Sequence, residues 1–194
     1  MDASKKAITQ HIQNIINNEV LNMLIPEIID CFKEFSLSRN DFFVKKGNVC
    51  SYFCFIESGI LQHAVSVSGE EKTTYLALKN SFTSSLKSFL QQTPSPKNIK
   101  SLSACKLWII NISDFKHLMK HNKAFYQFYY NLVEHQIFLI DDYRIDLLTL
   151  TPEERYKKLL VNEPKLLQEV PLHYLASFLG ISTRHMSRIR KNIN

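Results

Sequence analysis

Val170-Pro171-Leu172-His173-Tyr174-Leu175-Ala176-Ser177-Phe178-Leu179-Gly180-Ile181-Ser182-Thr183-Arg184-His185-Met186-Ser187-Arg188-Ile189-Arg190-Lys191 reads as a helix, a tight turn at one glycine and a second, basic helix. Pro171 suits a first helical turn, where its missing N–H is not needed. Leu175, Ala176, Phe178 and Leu179 give helical apolar spacing, and small Ala176 lets a second helix cross closely. Gly180 can take the positive φ that ends a helix, Ile181 fills the corner, and Ser182 is a good N-cap. In the second helix Met186, Ile189 and Ile193 recur on one side and must face inward, which turns Arg184, Ser187, Arg188 and Lys191 to solvent. From Ser182 to Lys191 there are four basic residues and no acidic one. An αα-hairpin with a solvated charged face is the plain alternative. The small residue, the glycine and the basic outer face coincide, however, as they do in a helix-turn-helix that reads DNA.

Just before this unit, Thr151-Pro152-Glu153-Glu154 starts a helix cleanly, with a threonine cap, proline at the first position and glutamate at the third. From about Lys123 to Leu148 neither glycine nor proline occurs, which predicts one long helix. It carries two apolar stripes. Phe125, Tyr129, Leu132, Gln136, Leu139, Tyr143 and Asp146 follow one line, and Tyr126, Tyr130, Val133, Ile137, Ile140 and Leu147 the other. Two stripes need two surfaces to bury them, one in the same chain and one on a partner helix; a central helix buried within a monomer is the alternative.

Further towards the N-terminus the period changes. Phe42–Lys46, Tyr52–Ile56, Ile60–Val67 and Thr73–Leu78 are short apolar runs separated at Gly47, Gly59 and Gly69. After a polar stretch at 81–100 they resume as Lys100–Ala104 and Lys106–Ile112, with Ser113 as the cap of a following helix. Short strands at turn spacing predict an antiparallel sandwich or barrel. Residues 5 to 33 read as helical, with Ile8, Ile12, Ile15, Ile16, Val20, Leu24, Ile28 and Phe32 at helical intervals and Pro26 forcing a break or a new start.

The formal charge of +6 suits a polyanionic partner, and residues 151–194, with eight basic and four acidic side chains, hold +4 of it. No apolar run has the length of a membrane span, and Met1–Lys6 lack a leader's apolar core, so a cytoplasmic protein away from membranes is expected. Cys31, Cys50, Cys54 and Cys105 form no CxxC pair, which suits packed thiols in a reducing compartment better than an iron–sulfur site. His117 and His121 stand four apart with no acidic partner of the HExxH kind, so no metal site is expected. No catalytic residues are assigned: paired carboxylates, a Ser/His/Asp order, GxSxG and a phosphate-binding glycine loop are all missing, and an enzyme is not expected.

The order of barrel, long helix and helix-turn-helix resembles the Crp/Fnr family of bacterial transcription regulators, in the short form of Bacteroidetes-type bacteria. The likeness is strongest in Leu150–Tyr156, Val170–Lys191, Val44-Lys45-Lys46-Gly47 and Phe55-Ile56-Glu57-Ser58-Gly59. It implies an α+β chain: an N-terminal double-stranded β-helix barrel, jelly-roll-like and cyclic-nucleotide-binding-like, then a long dimerisation helix and an all-α helix-turn-helix domain. The corresponding ranges are 1–118, with the N-terminal helices, then 119–149 and 150–194. It further implies a homodimer through the 119–149 helix, double-stranded DNA with an inverted-repeat operator, and RNA polymerase as another partner.

Cyclic-nucleotide sensors of the family hold their ligand with a Gly-Glu pair and a downstream Arg-Ser/Thr. The matching segment here, Ser81–Leu86 and Thr93–Lys97, has neither glutamate nor arginine. Thr83, Ser84, Ser85, Ser95 and Lys97 are its polar candidates; cAMP and cGMP are not expected to bind tightly, and no cofactor is assigned. In the reading helix, Thr183-Arg184 replaces the family's Arg-Glu and only Arg188 matches, which should change the preferred half-site. Arg184, Ser187 and Arg188 are expected at base edges, and Thr183, His185, Arg190 and Lys191 nearer phosphates, with Ser182 helping at the helix N-terminus. With the sequence stopping at Asn194, no β-hairpin wing is expected to add backbone contacts. A ligand- or protein-binding module with a vestigial DNA-binding helix is the alternative function.

Overall fold

The computed structural model describes residues 5–193; Met1–Ser4, part of the segment read as lacking a leader, and Asn194 lie outside the described residues. Two four-stranded antiparallel sheets form the N-terminal body. One has the order β1(Lys33–Leu37), β8(Cys105–Asn111), β3(Tyr52–Ser58), β6(Phe82–Thr83). The other has the order β2(Phe42–Val44), β7(Asn98–Ser101), β4(Leu61–Val67), β5(Glu70–Ala77). The expected sandwich is present. Sequence reading missed β1 and β6, both edge strands, and the short helix α3(Leu86–Gln91) inside the segment taken as polar linker.

β3 departs from in–out alternation because it is covered on both faces: Phe53, Cys54, Phe55 and Ile56 are all buried. The helices α1(Lys6–Ile16) and α2(Ile25–Asp30) join this core through Ile8, Ile12, Ile25 and Ile28. Between them Asn17 takes a positive φ and a 3₁₀ turn spans Glu19–Leu24, so the break comes earlier than Pro26. That geometry takes Val20 out of the helical register and leaves it exposed.

Asparagines set the two helices that follow β8. Asn111, rather than Ser113, caps α4(Ile112–His121) by accepting the Asp114 N–H at 2.9 Å. Buried Asn122 accepts the Phe125 N–H at 3.0 Å to start α5(Lys123–Thr149), while its amide donates to the Leu24 carbonyl and to Glu27. The N-terminal half of α5 is fixed by aromatic packing to the barrel, Phe128 on Phe82 (4.8 Å between centroids), and to α4, Phe125 on Phe115 (5.1 Å). α6(Pro152–Asn162) begins with the expected reciprocal capping box between Thr151 and Glu154, and α7(Pro164–Glu169) follows.

A second core joins the barrel to the C-terminal helices. Ile60, Leu76 and Leu102 pack in one cluster with Tyr156, Leu159, Leu166, Leu175, Ala176, Leu179, Met186 and Ile189. The C-terminal helices thus sit against the sheet that carries β4 and β5.

Candidate nucleic-acid interface

α8(Leu172–Phe178) and α9(Thr183–Ile193) form the paired helices. Pro171 precedes the first helical residue and is extended (φ −57°, ψ 141°), one position earlier than a first-turn proline. The turn is a Schellman arrangement. The Ile181 N–H donates to the Ala176 carbonyl at 3.0 Å and the Gly180 N–H to the Ser177 carbonyl at 3.2 Å, with Gly180 at φ +71°. Ser182 then accepts the His185 N–H at 3.2 Å, capping α9. Met186 and Ile189 are buried, so the opposite face of α9 is fixed outward.

That face carries the predicted residues. Ser182, Thr183, Arg184, Ser187, Arg188, Arg190 and Lys191 are all exposed. Among the described residues none of its four cations is in a salt bridge, so their charge is directed to solvent. Ser187 donates its hydroxyl to the Thr183 carbonyl at 3.0 Å, leaving an acceptor outward. His185 is half-buried, its Nε2 3.0 Å from Glu153 of α6, so its ring is turned to the protein. The Glu153 carboxyl is held below the usual carboxylate range, first by its own backbone N–H and then by His185.

Inside the barrel, the hydroxyls of the polar candidates are taken up by partners within the chain. Ser85 and Ser95 share a hydrogen bond at 2.8 Å, and Ser95 also donates to the Lys97 carbonyl at 2.7 Å. Ser84 donates to the Tyr52 carbonyl at 3.0 Å. Thr83 meets Nε2 of His63 at 2.8 Å, a buried histidine that sequence reading did not single out. Burial holds both the His63 imidazole and the Lys97 amine below their usual pKa values.

The two stripes of α5 separate as the spacing predicts. Phe125 is buried and Tyr129, Leu132, Gln136, Leu139, Tyr143 and Asp146 are half-buried against the same chain. On the other line Tyr126, Tyr130, Ile137, Ile140 and Leu147 are exposed and Val133 is half-buried, with Phe138, Ile145 and Leu148 exposed beside them. His117 and His121 stack on α4 at 4.5 Å, and among the described residues no group of three or more His, Cys, Asp or Glu side chains is placed to hold a metal. No helix among the described residues is long and apolar enough to cross a membrane.

Residues 34–122 match the cyclic nucleotide-binding domain family. By sequence the chain matches no curated protein. Its fold is similar to that of FixK2 from Bradyrhizobium japonicum, at a TM-score of 0.73 and 11% identity over 84% of each chain. The c-di-GMP-responsive global regulator CLP of Xanthomonas campestris superposes with a TM-score of 0.66 at 16% identity, covering 88% of this chain and 90% of that one. For the Thermus thermophilus catabolite activator protein the values are 0.57 and 16%, over 92% and 86%. Residues 34–122 lie in a cyclic nucleotide-binding-type antiparallel barrel, and the barrel followed by C-terminal helices is an arrangement similar to that of FixK2, CLP and the catabolite activator protein.

Proposed function

We propose that this chain of Crp/Fnr-type fold is a cytoplasmic, non-enzymatic transcription regulator that binds an inverted-repeat DNA operator as a homodimer. The observation that carries the reading is the outer face of α9, where Arg184, Arg188, Arg190 and Lys191 stand exposed and free of salt bridges among the described residues. The buried Met186 and Ile189 and the glycine turn aim that face away from the protein. A helix so presented suits the major groove, where an arginine fork reads guanine and a lysine meets phosphate. Arg184, Ser187 and Arg188 are assigned to base edges and Thr183, Arg190 and Lys191 to the backbone, while His185, with its ring on Glu153, ties α9 to α6 beside that backbone.

The exposed stripe of α5 is assigned to the partner protomer. The reading includes no requirement for cAMP or cGMP. A cyclic phosphate needs a fork or free donors and a ribose needs a carboxylate, whereas Thr83, Ser84, Ser85 and Ser95 spend their hydroxyls on protein partners.

The test compares Arg188→Ala and Lys191→Ala on a selected site and on random duplex. Arg188→Ala should lose about 1–3 kcal/mol on the selected site and relax preference at one base pair. Lys191→Ala should weaken both DNAs alike and flatten the salt dependence by about one unit of slope. Equal losses for both variants on both DNAs would sink the assignment of roles.

A further inference from the structure

β5 is the last strand of its sheet, so N–H groups on its outer side have no strand to pair with. One of them, that of buried Thr73, donates to the Ser177 hydroxyl of α8 at 2.9 Å, across 104 residues of sequence. The Thr73 side chain is held from the other side, accepting the Gln62 amide at 2.8 Å. A second polar contact lies nearby: the Tyr143 hydroxyl of α5 donates to Glu163, between α6 and α7. The Tyr143 ring meets Phe178 of α8 edge-on at 5.7 Å and 83°. Lys158 of α6 pairs with Asp146 of α5 at 2.6 Å. Beneath these contacts the barrel's Ile60, Leu76 and Leu102 share a core with Leu175, Ala176 and Leu179. Neither Ser177 nor Glu163 lies on the reading helix, and both are only half-buried, at the seam between the helix-turn-helix and the rest of the chain.

We propose that Ser177, which docks α8 on the outer edge of β5, and Glu163, which holds the α6–α7 junction on α5, are positioning residues that together fix the angle at which α9 meets DNA. The proposal rests on the DNA-reading function argued above. In a two-fold dimer joined through α5, that angle sets the distance between two reading helices, and so the half-site spacing accepted. The docked contacts therefore act on spacing, and the side chains of α9 act on base sequence.

The experiment uses the full chain as Ser177→Ala, Ser177→Thr and Glu163→Ala. The first readout is amide hydrogen exchange at Thr73 without DNA. Protection should fall in Ser177→Ala and return in Ser177→Thr, which keeps the hydroxyl. The second is affinity for duplexes carrying the selected half-sites at the optimal spacer and with one base pair added or removed. The penalty for the altered spacer should shrink by about tenfold in Ser177→Ala and Glu163→Ala, the scale of one lost hydrogen-bonded contact. Base preference within a half-site should not change, whereas a merely weakened fold would lower all affinities together. Unchanged Thr73 protection in Ser177→Ala overturns the docking, and unchanged spacing discrimination overturns its positioning role. If the wild-type chain selects no site at all, the DNA-reading function fails by itself, and Thr73 exchange still decides the docking.

Discussion

At the scale of single residues, glycine and histidine show how differently positions weigh. Gly180 and Gly59 both have positive φ (+71° and +93°), but only Gly59 is enclosed. A Cβ there would lie 2.5 Å from the Ala104 carbonyl oxygen and 2.5 Å from the Cys105 sulfur. Gly180→Ala should cost about 1 kcal/mol from backbone strain alone, and Gly59→Ala several times the loss of melting temperature, because backbone must also shift. Both glycines were readable as turns. The enclosure of Gly59 was not, since the atoms that close on it lie 45 residues away. His63 was equally hidden, because a lone histidine in a strand gives no sign that both its faces are covered. Burial lowers its pKa from 6.5, so the folded state resists protonation while the unfolded state accepts it. Stability from this group is complete above pH 6.5 and is lost as pH falls below it, and His11, lowered by the same cause, adds to the decline. Melting temperature against pH between 7 and 5 should therefore fall less steeply in His63→Gln than in the wild-type chain.

Among the elements, α5 was the most legible and the most consequential. Absence of glycine and proline announced its length, and its two stripes resolved into one line against its own chain and one in solvent. Its start, read at about Lys123, is set by buried Asn122, which serves α2 and α5 together; the range beginning at 119 takes in the last residues of α4. The strands missed were edges: β1 reads Lys-Glu-Phe-Ser-Leu, too polar for an apolar-run rule, and gains its place only by pairing with β8. Ile137→Glu, on the exposed line, should leave the melting temperature nearly unchanged and shift the protein from dimer to monomer in sedimentation, with loss of tight operator binding. A variant that stays dimeric would remove α5 from the dimer interface. At the next helix, Thr151→Ala breaks the capping box and should cost about 1 kcal/mol in chemical denaturation.

For the whole molecule, the architecture is two cores meeting at the edge of one sheet. The larger joins the barrel to α1, α2 and the first half of α5; the smaller joins Ile60 before β4, Leu76 of β5 and Leu102 after β7 to the C-terminal helices. Local sequence showed α6, α8 and α9 because caps, turn glycine and apolar period all lie within a few residues, whereas the break at Glu163 that makes α7 a separate helix was not read. The seam itself was illegible, since a serine at 177 and a glutamate at 163 look like any polar helix residues until Thr73 and Tyr143 are brought beside them. Charge at this scale is directional: +4 of the net +6 belongs to residues 151–194, with the bare cations on α9. The most direct test of the account is selection of binding sites from a random DNA pool by the purified, ligand-free protein at near-physiological salt. An inverted repeat with half-sites about 10 base pairs apart, guanine-bearing at the positions facing Arg184 and Arg188, is the predicted result. A pool that stays random, with binding that does not fall steeply as salt rises, would contradict it.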